Sequence, residues 1–84
     1  MNLTTTLSDL KPGETATVSA MSDLGDIRRR LLDIGLVKDA TVECVGISPL
    51  GDPSAYRILG AVIAIRRRDA RHISVKKTGV ASWA

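Results

Sequence analysis

Phenylalanine is absent from these 84 residues, and Tyr56 and Trp83 are the only aromatic side chains. The core must therefore be aliphatic, and the ring faces on which single-stranded nucleic acid stacks are scarce. Cysteine occurs once, at Cys44, which excludes an intrachain disulfide. Met1 to Leu10 has no basic segment leading into an apolar run, so it does not read as a signal peptide. A lone thiol in that context points to a reducing, cytoplasmic setting. Histidine also occurs once, at His72, far from Cys44 in sequence. Structural zinc sites draw about four Cys or His ligands from close spacing, so no metal site and no cofactor are expected. Weak binding through Asp and Glu oxygens stays open, although no spacing proposes it. Neither a G-x-x-x-x-G-K-[ST] run nor a G-x-G-x-x-G run occurs, which argues against nucleotide chemistry. No local signature supports a Cys–His dyad, and an enzyme is not expected. No apolar run approaches the roughly 20 residues that cross a bilayer.

What is present suits one small β-rich domain. A chain this short buries only roughly 60–65% of the surface its unfolded form exposes, which leaves little room for a deep cavity. Surface recognition is the natural role. The net charge is +3. Arg66, Arg67, Arg68, Arg71, Lys76 and Lys77 crowd the C-terminal third. That crowding is either a solvated face or a surface for an anionic partner, nucleic acid included.

Residues 1–10 read as a lead-in, with Leu7 and Leu10 tucked against the body. Lys11-Pro12-Gly13-Glu14 has turn chemistry. Thr15 to Ala20 alternates, with Ala16, Val18 and Ala20 on one face, as a strand does. A helix is expected over residues 24–34, capped by Ser22 or Asp23, with Leu24, Ile27, Leu31 and Ile34 on one face and Leu32 widening it. Gly25 is its weak point. Gly35 and Leu36 suit a Schellman ending against Leu31. Asp26/Arg30 and Arg29/Asp33 are spaced for ion pairs on the solvent side.

A strand over Thr41 to Ile47 leads to the loop Ser48-Pro49-Leu50-Gly51-Asp52-Pro53. Ala55 to Leu59 and the wholly apolar Ala61 to Ile65, split by a turn at Gly60, are two more strands. The second has the composition of a strand buried on both faces. Arg67 to His72 suits one helical turn, and Ile73 to Lys76 a last short strand with Ile73 and Val75 inward. Five strands and one helix fit a small closed barrel, which removes exposed edges. Cys44 reads as a core residue and His72 as a surface one. Arg28 falls inside the apolar arc of the helix: either its stem packs while the guanidinium reaches water, or it marks a partner-facing rim. Leu50 either folds under its loop or anchors a partner.

Three stretches together resemble the FeoA family (ferrous iron transport protein A). Arg29-Arg30-Leu31-Leu32-Asp33-Ile34-Gly35-Leu36 is similar to its helix end, R-R-L-x-D-L-G-L, with Ile34 at a position more often Leu. Ser48-Pro49-Leu50-Gly51-Asp52-Pro53 is similar to its A-P-L-G-D-P loop, with Ser first. Gly60, Ile65-Arg66-Arg67, Ala70, Ile73 and Val75 resemble its closing strand and turn. The resemblance spans about residues 7–77. It implies an SH3-like β-barrel of about five strands with one helix inserted after the first, over residues 1–77, followed by a tail at residues 78–84. It also implies a non-catalytic accessory role in bacterial ferrous iron uptake beside FeoB, a membrane permease with a cytoplasmic GTPase domain, which could recruit the chain to the inner membrane face. Related domains end iron-dependent repressors. With no DNA-binding domain ahead of it, this chain better matches the stand-alone form. The expected partner contacts are Leu24, Arg28, Arg29 and Leu32 on the helix, and Pro49, Leu50, Gly51 and Asp52 on the loop. Self-association stays open.

Overall fold

The computed structural model describes residues 4–22 and 25–80. Thr4–Thr6 forms β1 and pairs with the last strand of the chain. This strand was not expected, because three threonines offer no alternation for periodicity to detect. A single turn of 3-10 helix, Leu7–Asp9, follows, and Leu7 and Leu10 are buried as anticipated. The next turn closes with Glu14 N–H donating to Lys11 O at 2.9 Å. Gly13 takes the φ of 92° that this turn needs.

Strand β2 runs Glu14–Met21. Ala16 and Val18 point into the core, but Ala20 is exposed. A register shift against the last strand lies between Val18 and Ala20. The extra residue swaps the faces, and Met21 takes the core-facing position instead.

Helix α1, Ile27–Asp33, is shorter than expected. Gly25 sits at φ +56°, in the left-handed region, so helical geometry starts only after it. Asp26 flanks the first turn and makes no side-chain cap hydrogen bond. The expected cap at Asp23 and the contact at Leu24 lie outside the described residues. Neither Asp26/Arg30 nor Arg29/Asp33 forms an ion pair, whereas Arg57–Glu43 and Lys77–Glu14 do. The C-terminus is the Schellman motif anticipated. Gly35, at φ 103°, donates to Leu32 O at 3.1 Å, and Leu36 N–H donates to Leu31 O at 2.9 Å. Leu31 and Leu36 are buried, which docks the helix on the sheet.

Strands β3 (Thr41–Ile47), β4 (Ser54–Ile58) and β5 (Ala61–Ile65) form a meander. Leu59 and Gly60, at φ 50° and 84°, make the two-residue turn between β4 and β5. Positive φ at both positions is the type I′ pattern that suits strand twist. One helical turn, α2 (Arg67–Ala70), precedes β6 (Ile73–Val80). That strand extends three residues past the expected domain end at Lys77, pairing Gly79 with Thr15 and Val80 with Glu14. Residues 81–84, with Trp83, lie outside the described ones.

The described residues thus hold six strands, not five, in one antiparallel sheet of order β1-β6-β2-β3-β4-β5. Bulges in β2 and β3 bend the sheet around its core. Tyr56 spans that core, its hydroxyl donating to Leu7 O at 3.2 Å. Ile58, Ile65, Ile73 and Val75 are among the aliphatic residues buried with it, each contributing about 1.5–3 kcal/mol by burial. Strand β5 departs from expectation. It is an end strand rather than one buried on both faces, and only Ile65 within it is fully buried.

Candidate functional site

The β3–β4 loop is built to display Leu50. Gly51 N–H donates to Ser48 O at 2.7 Å, closing a turn with Pro49 at its second position, where fixed φ favours the bend. Gly51 follows at φ 89°. Ser48 N–H donates to Pro53 O at 3.0 Å and pinches the base of the loop. Leu50 is 94% exposed at the tip, which removes the reading in which it folds under. Asp52 is held differently: its Oδ1 accepts the Arg67 N–H at 2.8 Å, tying the loop to the first turn of α2. Asp52 therefore has a structural task, and Pro49, Leu50 and Gly51 form the displayed tip.

The second candidate set lies on α1. Arg28 and Leu32 line an open groove of about 340 Å³ against β2, with Ser19, Ala20, Met21 and Lys38. The floor is apolar, and Arg28 and Lys38 put two cations on its rim. Arg29 is exposed but does not line this groove. Lys38 and the bulged end of β2 were not anticipated here, because only the fold brings them beside the helix. The helix feeds β3 at Thr41 and the loop leaves it at Ile47. None of Pro49, Leu50 and Gly51 lines the groove, so the structure does not gather the two sets into one site.

A third surface, a groove of about 440 Å³, lies between the 3-10 turn and α2, lined by Ser8, Asp9, Arg67, Arg68 and Arg71. The Asp9 carboxylate accepts from the Thr5 hydroxyl at 2.8 Å and the Thr6 hydroxyl at 3.1 Å. Those hydrogen bonds, with the Arg67 charge adding to them, hold its carboxyl below the usual range. Glu14 is lowered in the same direction, chiefly by the Lys11 N–H at 2.7 Å and further by Lys77.

Reactive chemistry is not gathered anywhere in these surfaces. Burial pushes the Cys44 thiol up, and its Sγ–H points to Gly46 O at 3.8 Å. A buried thiol of raised pKa is a poor nucleophile. Among the described residues, no group of three or more His, Cys, Asp or Glu could hold a metal ion. No helix there is long and apolar enough to cross a membrane.

The FeoA domain family matches residues 5–77. Over 70 residues the chain is 37% identical to the Fe(2+) transport protein A/Fe(2+) transporter FeoB fusion protein of Porphyromonas gingivalis. That alignment takes in 83% of this chain but only 8% of the fusion protein, so the chain spans less than a tenth of that relative. The solution structure of FeoA from Chlorobium tepidum is similar with a TM-score of 0.83 and 36% identity, over 88% of this chain and 70% of that one. FeoA of Stenotrophomonas maltophilia, solved with zinc and described as an SH3 domain protein, is similar at 0.74 and 32% identity, over 84% and 88%. The match runs from β1 into β6 and carries both the helix end and the loop, and on that ground the chain belongs to the FeoA domain family.

Proposed function

We propose that this chain is a non-catalytic accessory protein of bacterial ferrous iron uptake. It docks on the cytoplasmic GTPase region of a FeoB-type permease and regulates or assembles it there. The observation that carries this reading is the fusion relative, in which a domain similar to this one shares a polypeptide with the transporter. Fusion holds two domains at high effective concentration, which favours a pair that works by contact. The displayed Leu50 tip and the groove edged by Arg28 and Leu32 supply the surfaces. Arginine is enriched among the residues that dominate binding energies, and the exposed Leu50 side chain offers apolar area that a partner would remove from water. Ferrous ion is the permease's cargo in this scheme.

Titration calorimetry between this chain and the purified cytoplasmic region of the cognate permease tests the proposal. Saturable binding is expected, weakened about tenfold or more by Leu50→Asp or by Arg28→Glu. Absence of binding in every nucleotide state of the permease contradicts it. One observation favours a rival, namely the three arginines around the Asp9 groove. Nucleic-acid binding through them would weaken steeply as salt rises. Against it, Tyr56 is buried, so the described residues offer no exposed ring for stacking.

A further inference from the structure

The two ends of the sheet are protected very differently. At one end, β1 is three residues long and carries only threonines. At the other, β5 is Ala61-Val62-Ile63-Ala64-Ile65, with no charge, no proline and no register shift against β4. Sheet edges are ordinarily blunted by exactly those missing devices, because a bare edge templates another strand.

The hairpin fixes which groups face outward. A two-residue turn at Leu59 and Gly60 makes Ile58 and Ala61 a hydrogen-bonded pair. Alternation then gives Tyr56–Ile63 and Ser54–Ile65 the same status. The N–H and C=O groups of Val62 and Ala64 consequently point away from β4, toward the open edge. Both residues are exposed, Val62 by 54%, and neither is covered among the described residues.

We infer that this edge pairs with β5 of a second copy of the chain, antiparallel about a two-fold axis through Ile63. In that register Val62 faces Ala64 of the other copy twice, and all four outward amide groups on each side find partners. Ile63 meets its own equivalent, and Ala61 meets Ile65. Arg66 falls opposite Gly60, so no like charges confront each other anywhere along the ladder. Arg57, next inward beside Val62, is already paired with Glu43 at 3.2 Å. The strand is thus self-complementary in shape, hydrogen bonding and charge. Stable interfaces use roughly 20–30 residues a side, far more than one five-residue strand and its flanks. The dimer is accordingly reversible, forming at high concentration and dissociating on dilution.

Sedimentation equilibrium from micromolar to millimolar protein tests the inference, alongside amide hydrogen exchange of Val62 and Ala64. The weight-average mass is expected to double across the range, and both amides to gain about tenfold protection as it does. The double variant Val62→Glu, Ala64→Glu sets carboxylates opposite one another only in the dimer, because within one chain position 62 faces Arg57 and position 64 faces Ala55. Its association should weaken about tenfold or more, with circular dichroism and thermal midpoint at low concentration unchanged. Ala64→Pro removes a donor that only the dimer uses and should act likewise. A wild-type chain that is monomeric throughout overturns the inference. So does a dimer that survives in both variants, or one in which these amides stay unprotected. None of these outcomes bears on permease binding, which is read separately.

Discussion

At the scale of single residues, exposure separates roles that composition could not. Leu50 and Leu36 are the same residue type, yet one is 94% exposed and the other fully buried. Leu50→Ser should therefore leave stability within about 0.5 kcal/mol of wild type, while weakening permease binding. A thermal melt and a binding titration on one sample check both halves. Glu14 offers a pH test. Its carboxyl is lowered in the folded protein by the Lys11 N–H and by Lys77, so the stability it contributes is complete above the ordinary carboxyl value. That contribution is lost as pH falls through the lower folded value. Glu14→Gln keeps an acceptor for Lys11 and removes the charge. It should melt lower than wild type at neutral pH, and the gap should close in acid. Asp9, lowered the same way, makes both proteins fall together in acid.

At the scale of elements, local signals encode most of the chain, and partners encode the remainder. The ending of α1 is legible because Gly35 and Leu36 sit where a left-handed residue and a returning apolar one are required. An added Cβ at Gly35 would also run into the Leu59 side chain. Gly35→Ala should therefore cost about 1–3 kcal/mol, read as a drop in Tm of roughly 4–8 °C per kcal/mol. The start of the helix is less legible, since the conformation of Gly25 rather than the spacing of leucines decides it. Strand β1 carries no alternation, and the bulge after Val18 inverts a face without any change in composition. The apolar run of β5 fits a central strand as well as an end strand. Which of these it becomes depends on sheet order, a non-local property. In the candidate site, Arg28 stood out from its place in the apolar arc and Leu50 from its loop. Lys38 and Ala20 did not, because nothing local links them to the helix.

At the scale of the whole molecule, a bent sheet surrounds an aliphatic core, and its most distinctive chemistry lies on the outside. Cys44 is buried, and Tyr56 is spent on a hydrogen bond to Leu7. What remains for function is a displayed loop tip, a cation-rimmed groove and an open strand edge, which suits recognition of other proteins. The family match agrees with that reading, since the relative joined to a transporter keeps this domain in the same polypeptide as the permease. The most direct test is ferrous iron uptake in cells that keep the permease but lack this chain, complemented with wild type or Leu50→Asp at equal abundance. Uptake should fall on deletion, return with wild type and fail to return with the variant. Uptake that is unchanged by deletion would contradict the account.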